Sequence, residues 1–274
     1  MKRLLAIQSL SVVGRSGLSV MAPVISALGC QCCPLPTTVL STHTGFQDPV
    51  RANLARYFPA FARHYQELGI RFDTVSVSYL ADPAQTAQIA EVIDCLSDRF
   101  ILDPVLGDGG RYYRGITDAH TQALRQLCGK ADILLPNLTE AAALTGRSYR
   151  DTGDPEALRL LCRELMALGA KAVLLTGIPW DNDTTGFFGM DAAGEFSYRH
   201  PRHPQSLHGT GDLFTAALAG GVTRGLSLPD AGELAADFVQ RCLEATPAAT
   251  LYGVEFEKVL PFLAQNAGIG ENNC

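Results

Sequence analysis

The sequence contains no apolar run of the roughly 20 residues that a membrane-spanning helix requires. Its first residues also lack the longer apolar core of a secretory signal peptide, because Lys2 and Arg3 are followed by only a short apolar stretch before Gln8. These absences predict a protein that neither crosses nor binds a membrane and that works in the cytoplasm.

Long runs of Lys and Arg are absent as well. The 22 basic residues are outnumbered by 28 acidic ones, which leaves a formal net charge of −6. A protein that follows the phosphates of a nucleic acid needs a basic surface. The composition therefore predicts small-molecule substrates and no nucleic-acid partner.

Spaced pairs of Cys and His, which are typical of a structural zinc site, are also missing. Of the eight cysteines, only Cys30, Cys32 and Cys33 form a cluster, and no further pair follows at a ligand-like spacing. We therefore interpret most of the cysteines as buried thiols in a reducing compartment and not as metal ligands.

The chain does contain enough apolar residues to bury a full core, since 47% of its 274 residues are hydrophobic and 18% are charged. This balance predicts one domain over residues 1–274. Internal repeats and low-complexity segments are not evident.

Strand and helix patterns alternate along most of the sequence. Strands are predicted at 4–7, 31–35, 37–42, 72–77, 100–103, 131–135 and 171–176, with a hairpin over 184–200. Helices are predicted before Gly29 and at 50–68, 83–97, 117–128, 139–145, 154–168, 210–224 and 229–245. This alternation indicates an α/β fold with a parallel sheet, helices on both faces, and a site outside the carboxyl ends of the strands.

The most informative segment is Gly209-Thr210-Gly211-Asp212, which opens directly into an apolar helical run. The start of a helix offers free backbone N–H groups and the positive end of the helix dipole. Glycines let the main chain approach a phosphate closely, and Asp212 could accept a proton from a substrate hydroxyl. An ordinary helix start, in which Asp212 only complements the dipole, is the alternative.

Further polar groups follow other predicted strands. Asp103 and Asp108 bracket a Pro-Val-Leu-Gly turn, and Asn137 and Glu140 are one helical turn apart, so that their side chains lie on one side. Phosphoryl transfer requires a base, an anion-binding nest and carboxylates that can hold a magnesium nucleotide. Capping of turns by Asp103 and Asn137 is the simpler alternative.

Six ordered segments resemble the pyridoxal kinase branch of the ribokinase-like superfamily. Besides Gly209-Thr210-Gly211-Asp212-Leu213-Phe214, they are residues 5–9, 40–45, 78–80, 103–108 and 136–140. The resemblance extends from residue 5 to about residue 225 and implies a three-layer αβα fold with a mostly parallel central sheet. It also implies ATP-dependent phosphorylation of the 5′-hydroxymethyl group of a B6 vitamer.

The resemblance assigns a role to each candidate residue. It implies that Asp212 is the catalytic base and that Gly209, Thr210 and Gly211 form the anion hole. Hydrogen bonds to the vitamer are implied for Ser9 and Thr44, with Ser11 as a competitor of Ser9, and Tyr79 is implied as an aromatic wall. His43 either faces the substrate or satisfies a hydrogen bond of the core. The remaining residues implied by the resemblance are Asp108, Asn137, Thr176 and Gly177 for the nucleotide and Asp103 and Glu140 for Mg²⁺. A site for K⁺ and a homodimer are implied as well.

The sequence departs from the family at two points. Leu135 replaces the usual Thr before Pro-Asn, which removes a side-chain contact to nucleotide or cation. Ala81 and Asp82 replace Gly and Ser beside the proposed vitamer wall, which adds a Cβ and a charge there and leaves the preferred B6 vitamer open.

Two rival functions are open. A hydroxymethylpyrimidine kinase of thiamine synthesis shares the Gly-Thr-Gly-Asp turn, although its glycine-rich first loop is absent here. A non-catalytic vitamer-binding protein could have kept the pocket, although the intact Asp212 and its glycines favour catalysis.

Overall fold

The computed structural model of the protein describes residues 1–204, 207–247 and 250–266. The strands in this part of the chain are β1 (Arg3–Val13), β2 (Gln31–Thr42), β3 (Arg51–Asn53), β4 (Thr74–Val77), β5 (Phe100–Leu102), β6 (Gly107–Asp108), β7 (Arg111–Tyr112), β8 (Ile133–Leu134), β9 (Val173–Thr176), β10 (Thr184–Asp191) and β11 (Gly194–Pro201). The helices are α1 (Leu18–Ala27), α2 (Phe58–Glu67), α3 (Gln85–Leu96), α4 (Asp118–Cys128), α5 (Leu138–Thr145), α6 (Pro155–Ala167), α7 (Thr210–Arg224), α8 (Leu228–Ala245) and α9 (Leu260–Asn266).

The chain forms two compact units. The first comprises Met1–Arg56, Phe72–Ser76 and the described residues from His203 onward. Its strand order is β4-β1-β2-β3, in which β1 and β2 are parallel and β3 joins β2 antiparallel at the edge. Because β1 is apolar from Leu4 to Ile7, it forms the buried centre of this unit.

Helix α7 packs closely against α1 in the first unit. Gly220 makes the approach possible, since a Cβ at this position would lie 2.5 Å from Leu28 Cδ1 at the end of α1. Helix α8 covers the other side of α7 and contributes the buried Phe238. This packing fixes the N-terminus of α7 beside the loop that precedes α1.

The second unit comprises Tyr57–Arg71 and Val77–Arg202. Its strand order is β11-β10-β9-β8-β5, in which β5, β8 and β9 are parallel. The antiparallel pair β10 and β11 forms the predicted hairpin, and a small separate hairpin consists of β6 and β7. Helices α2 to α6 belong to this unit, and Phe100 and Phe187 are buried in its core.

The predicted helix over 50–68 is wrong in its first half. Residues 51–53 form β3 instead, because their backbone pairs with residues 38–40 of β2. The Asn53 side chain then accepts a hydrogen bond from Ala55 N, which turns the chain before α2 begins at Phe58. Proline in the first turn of α2 suits this late start, since a proline there sacrifices no helical hydrogen bond.

The two strands predicted at 31–35 and 37–42 form one strand, β2. Pro34 and Pro36 do not interrupt it, because β2 keeps its parallel register with β1 through the pairs Ala6↔Pro34 and Gln8↔Pro36. Strand β1 is also longer than the predicted 4–7, since its polar end stays paired with β2 up to Val13. The hairpin of β6 and β7 and helix α9 were not predicted.

Among the described helices, none combines the length and the apolar character that a membrane-spanning helix needs.

Candidate active site

The N-terminus of α7 presents an open backbone nest in the first unit. Gly209 precedes the helix with φ 93°, and no side chain in the described part of the chain caps this end. A Cβ at Gly209 would lie 2.5 Å from Arg15 O, whereas a Cβ at Gly211 would meet no atom within 4 Å. Gly209 therefore serves the close packing of two loops, and the backbone at Gly211 borders open space, as an anion-binding turn requires.

Asp212 lies in the first turn of α7 and is held by three donors, which are Gly17 N, Gln8 Nε2 and the Ser16 side chain. Its Oδ2 accepts from Gly17 N at 2.9 Å, and its Oδ1 accepts from Gln8 Nε2 at 3.1 Å. Burial raises the pKa of Asp212 above its ordinary value, while the hydrogen bond from Gly17 N opposes the increase. A carboxylate with a raised pKa beside a backbone nest can act as a general base for a hydroxyl.

Two histidines lie near this carboxylate. His43 is buried, its Nε2 donates to Leu251 O at 2.8 Å, and its Nδ1 accepts from Gly45 N at 3.1 Å. These two bonds assign His43 to the core hydrogen bond that the sequence left as an alternative. The ring of His208 lies 5.3 Å from that of His43, and burial lowers the pKa of His208.

Ser9, Ser11 and Thr44 occupy the same unit. Ser9 and Ser11 are buried near the polar end of β1, and Thr44 is half-buried just after β2. The Ser11 hydroxyl has no hydrogen-bond partner among the described residues. A buried hydroxyl without a partner is costly, so Ser11 stays a competitor of Ser9 as a ligand for a polar substrate group.

A second polar cluster lies in the second unit. Asp103 directly follows β5 and is buried, and its Oδ2 accepts from Ser78 Oγ at 3.3 Å. Glu140 is also buried, and its pKa is raised well above the ordinary value by burial and by the negative charge of Asp103. Two buried carboxyl groups repel each other when both are ionised, so this pair favours a bound cation.

Asn137 and Glu140 build the start of α5 as a capping box. Asn137 Oδ1 accepts from Thr139 N at 2.9 Å and from Glu140 N at 3.0 Å, and Glu140 Oε2 accepts from Asn137 N at 2.9 Å. Glu140 Oε1 accepts from Leu106 N, and Asn137 Nδ2 donates to Gly107 O. Asn137 therefore has a capping role, as the simpler alternative proposed for this residue, and together with Glu140 it ties the helix to the turn after Asp103.

The donor set of this cluster fits Mg²⁺ better than zinc. Mg²⁺ uses one or two carboxylates and completes its shell with water and substrate phosphates. Asp103 and Glu140 supply such a pair, whereas no group of three or more His, Cys, Asp or Glu side chains that could hold a metal is present in the described ranges. The cysteine cluster shows no metal geometry, and the seven cysteines in the described ranges are free.

The other predicted residues of the second unit lie at strand ends or on loops. Thr176 ends β9, where it forms a parallel bridge with Asn137, and Gly177 follows with φ 65° and no atom within 4 Å of an added Cβ. Asp108 is exposed and accepts from Gly109 N at 2.7 Å. Tyr79 is half-buried after β4.

The departures from the family pattern have structural roles. Leu135 is buried, and its N–H donates to Leu102 O, so that this position contributes packing to the second unit. Asp82 organises the turn before α3, because its Oδ1 accepts from Ala84 N at 2.9 Å.

Sequence reasoning did not assign roles to Gln8, Ser16 and Gly17, which donate hydrogen bonds to Asp212. Gln8 belongs to the segment 5–9 that carries the family resemblance, and Gly17 belongs to the glycine-containing loop before α1. Neither position reveals a contact with α7, because the contact requires the packing of α1 on α7.

The sequence matches the phosphomethylpyrimidine kinase family over residues 23–254, which is most of the chain. The chain belongs to the phosphomethylpyrimidine kinase family. This chain is similar to the pyridoxal kinase PdxY of Pseudomonas fluorescens. The two sequences are 28% identical over 92% of this chain and 90% of the relative.

The solved structures of the same fold that exceed 25% identity with this chain include those of two proteins. The pyridoxal kinase of Lactobacillus plantarum is 30% identical, covers 99% of this chain and 100% of its own, and superimposes with a TM-score of 0.90. A Bacteroides thetaiotaomicron protein, named as a candidate phosphomethylpyrimidine kinase and crystallised with pyridoxal, is 32% identical. It covers 96% of this chain and 95% of its own with a TM-score of 0.90. The predicted α/β fold of the ribokinase-like superfamily and the resemblance to its pyridoxal kinase branch are confirmed.

Proposed function

We propose that this protein transfers the γ-phosphoryl group of ATP to the 5′-hydroxymethyl group of a B6 vitamer, namely pyridoxal, pyridoxine or pyridoxamine. The observation that carries the proposal is the oriented Asp212 carboxylate in the first turn of α7, directly beside a backbone nest that borders open space. The relatives named pyridoxal kinase and the neighbour crystallised with pyridoxal support the choice of substrate.

In this proposal, Asp212 accepts the proton of the 5′-hydroxyl as the hydroxyl oxygen attacks the γ-phosphorus. The bond from the γ-phosphorus to the bridging β-phosphate oxygen breaks, and ADP leaves. The N–H groups of Gly209, Thr210 and Gly211 stabilise the negative charge that spreads over the transferring group. A base with a pKa raised by burial is better matched to this proton transfer than an exposed carboxylate.

Three side chains are proposed to bind the vitamer. Ser9 and Thr44 offer hydrogen bonds to the pyridine ring and its substituents. Tyr79 offers an aromatic face for the flat ring. The replacement of the family's Gly-Ser by Ala81-Asp82 next to Tyr79 supports a difference in preference among the three vitamers.

The nucleotide is proposed to contact Asp108, Asn137, Thr176 and Gly177. Asp103 and Glu140 would hold Mg²⁺, which when bound neutralises charge on the phosphate oxygens. The repulsion between these two buried carboxyl groups supports a cation there, because it is relieved when a cation binds. We further propose that the protein binds K⁺ as a second cation and forms a homodimer. We also propose that it consists of a single domain and works in the cytoplasm.

Phosphorylation of hydroxymethylpyrimidine or its phosphate is the second candidate, because the matched family bears the name of that activity. The two candidates are compared by supplying ATP and Mg²⁺ with each B6 vitamer and with hydroxymethylpyrimidine in parallel. We expect the 5′-phosphate of at least one vitamer to form with the highest kcat/KM. Turnover of hydroxymethylpyrimidine alone would assign the protein to thiamine synthesis, and binding without turnover would favour a vitamer-binding protein.

A further inference from the structure

The buried Gln8 side chain has hydrogen-bond partners for its amide nitrogen but none for its amide oxygen among the described residues. The side chain is 1% exposed, and its Nε2 lies 3.1 Å from Asp212 Oδ1 and 3.3 Å from Met21 Sδ. Its Oε1 has no hydrogen-bond partner among the residues that the structure describes. A buried amide oxygen without a partner costs free energy, so we expect the N–H group of this glutamine to make a contact that offsets the cost.

The Gln8 N–H group contributes to the orientation of the Asp212 carboxylate. Gln8 on β1 donates to Oδ1, and the backbone of Gly17 donates to Oδ2. These two donors and the Ser16 side chain, which also hydrogen-bonds Asp212, fix the rotation of the carboxylate. A flipped Gln8 amide would set Oε1 against Oδ1, so that two acceptors would face each other. The observed orientation therefore matches an ionised Asp212.

We propose that Gln8 is a positioning residue for phosphoryl transfer, whose amide holds the Asp212 carboxylate ionised and directed at the start of α7. This inference rests on the proposed function, because that function makes Asp212 the base. Gln8 suits the role because it reaches the carboxylate from β1, the central strand of the first unit, which cannot shift without disturbing the core.

The surroundings of Asp212 explain why such a donor is needed. Burial alone would keep this carboxyl group protonated up to a higher pH, and hydrogen bonds to the ionised form oppose that effect. The other titratable groups that face it are His43 and His208. Burial disfavours the charged form of His208. Hydrogen bonds from Gly17 N and from the Ser16 side chain favour the ionised base, and the Gln8 amide is a further donor to it.

The first test is kinetic. Gln8→Leu should lower kcat by roughly 10- to 100-fold, the loss expected for one hydrogen bond to a charged group, with little change in KM for vitamer or ATP. Met21→Leu is the matched control, because it conserves volume and removes only the sulfur contact of Gln8. In an Asp212→Asn background, Gln8→Leu should cause no further loss, since the carboxylate on which it acts is gone.

The second test does not depend on turnover. The protein is labelled with ¹³C-aspartate, and the carboxyl signal of Asp212 is identified by NMR as the one that is absent in Asp212→Asn. The change of this signal with pH gives the pKa of Asp212. Gln8→Leu should raise the pKa of Asp212 by about one unit, since one donor to its ionised form is removed. Gln8→Glu should raise it as well, because a second carboxyl group repels the ionised form, and it supplies a variant of nearly unchanged size.

The outcomes separate this inference from the proposed function. An unchanged Asp212 titration in both Gln8 variants, or an additional loss of kcat in the double variant, would overturn the positioning role. A Met21→Leu variant as slow as Gln8→Leu would overturn it too. A shifted titration in a protein that phosphorylates no vitamer would retain the coupling of Gln8 to Asp212 and reject the proposed function instead.

Discussion

Gly17 N donates a 2.9 Å hydrogen bond to Asp212 Oδ2, although 195 positions separate the two residues in the sequence. The bond joins the loop before α1 to the first turn of α7. It requires that Gly17 adopt φ 66° and approach the Ser9 carbonyl, where a Cβ would overlap the oxygen atom. The orientation of the proposed base thus depends on a glycine in a distant loop.

Replacement of Gly17 by alanine should therefore damage both stability and activity. An alanine at this position would need φ 66° and ψ −138°, which costs a residue with a Cβ about 1–3 kcal/mol, and the overlap with Ser9 O adds to this cost or shifts the loop away from Asp212. Gly69→Ala is the matched control, because Gly69 has φ 65° but no atom within 4 Å of an added Cβ. Chemical denaturation and kcat are measured for both. Equal losses of stability with normal kcat would show that the Gly17 contact has no role in catalysis.

Substitution of Asp212 by asparagine should preserve the fold and nucleotide binding but lower kcat by a factor on the order of 10²–10⁴. Asparagine keeps the size and the capping ability of aspartate and loses its proton affinity. Asp230→Asn, in the first turn of α8, controls for the loss of a negative charge at a helix N-terminus. A folded Asp212→Asn protein with near-normal kcat would mean that the residue only complements the helix dipole.

The raised pKa of Glu140 predicts a dependence of stability on pH. A carboxyl group whose pKa is raised by folding contributes stability below its unfolded pKa, about 4.3, and loses that contribution as the pH rises through the folded value. Without Mg²⁺, Glu140→Gln should therefore gain stability relative to wild type as the pH increases above about 4.3.

Urea denaturation at a series of pH values measures this difference. Glu233→Gln, at an exposed position of α8, should leave the pH dependence unchanged. Addition of Mg²⁺ and ADP should stabilise wild type at neutral pH more than Glu140→Gln, because a bound cation favours the ionised carboxylate. If the free energy of unfolding of Glu140→Gln changed with pH in parallel with that of wild type, folding would not change the pKa of Glu140.

Tyr79→Ala should raise KM for the vitamer more than KM for ATP. Loss of an aromatic contact removes ~0.5–1.5 kcal/mol beyond the burial of area, equivalent to a rise of roughly 2- to 12-fold. Tyr79→Phe retains the ring and should bind the vitamer nearly normally. Parallel increases in both KM values would indicate that Tyr79 contributes only to packing.

The sequence by itself determined most of the elements and the location of the candidate base. Strand β9, helices α4 to α8 and the hairpin of β10 and β11 follow from apolar periodicity and turn residues, because these elements are stabilised largely by local pattern and capping. The Gly209–Asp212 turn could also be predicted from the sequence, because its glycines and the apolar helical run that follows are local features. The helical pattern of 50–68 failed in its first half because pairing of residues 51–53 with β2, a tertiary contact, overrides local helix propensity.

Only the tertiary structure decided which donors hold the reactive groups. The contacts of Gln8 and Gly17 with Asp212 connect three elements, and they exist because Gly220 lets α7 pack tightly against α1. In the second unit, the burial of Glu140 beside Asp103, and hence its raised pKa, depends on the docking of α5 after β5. Sequence spacing encodes which side of one helix or strand a residue occupies. The distance between side chains on different elements, and the water that their packing removes, arise only when those elements pack together.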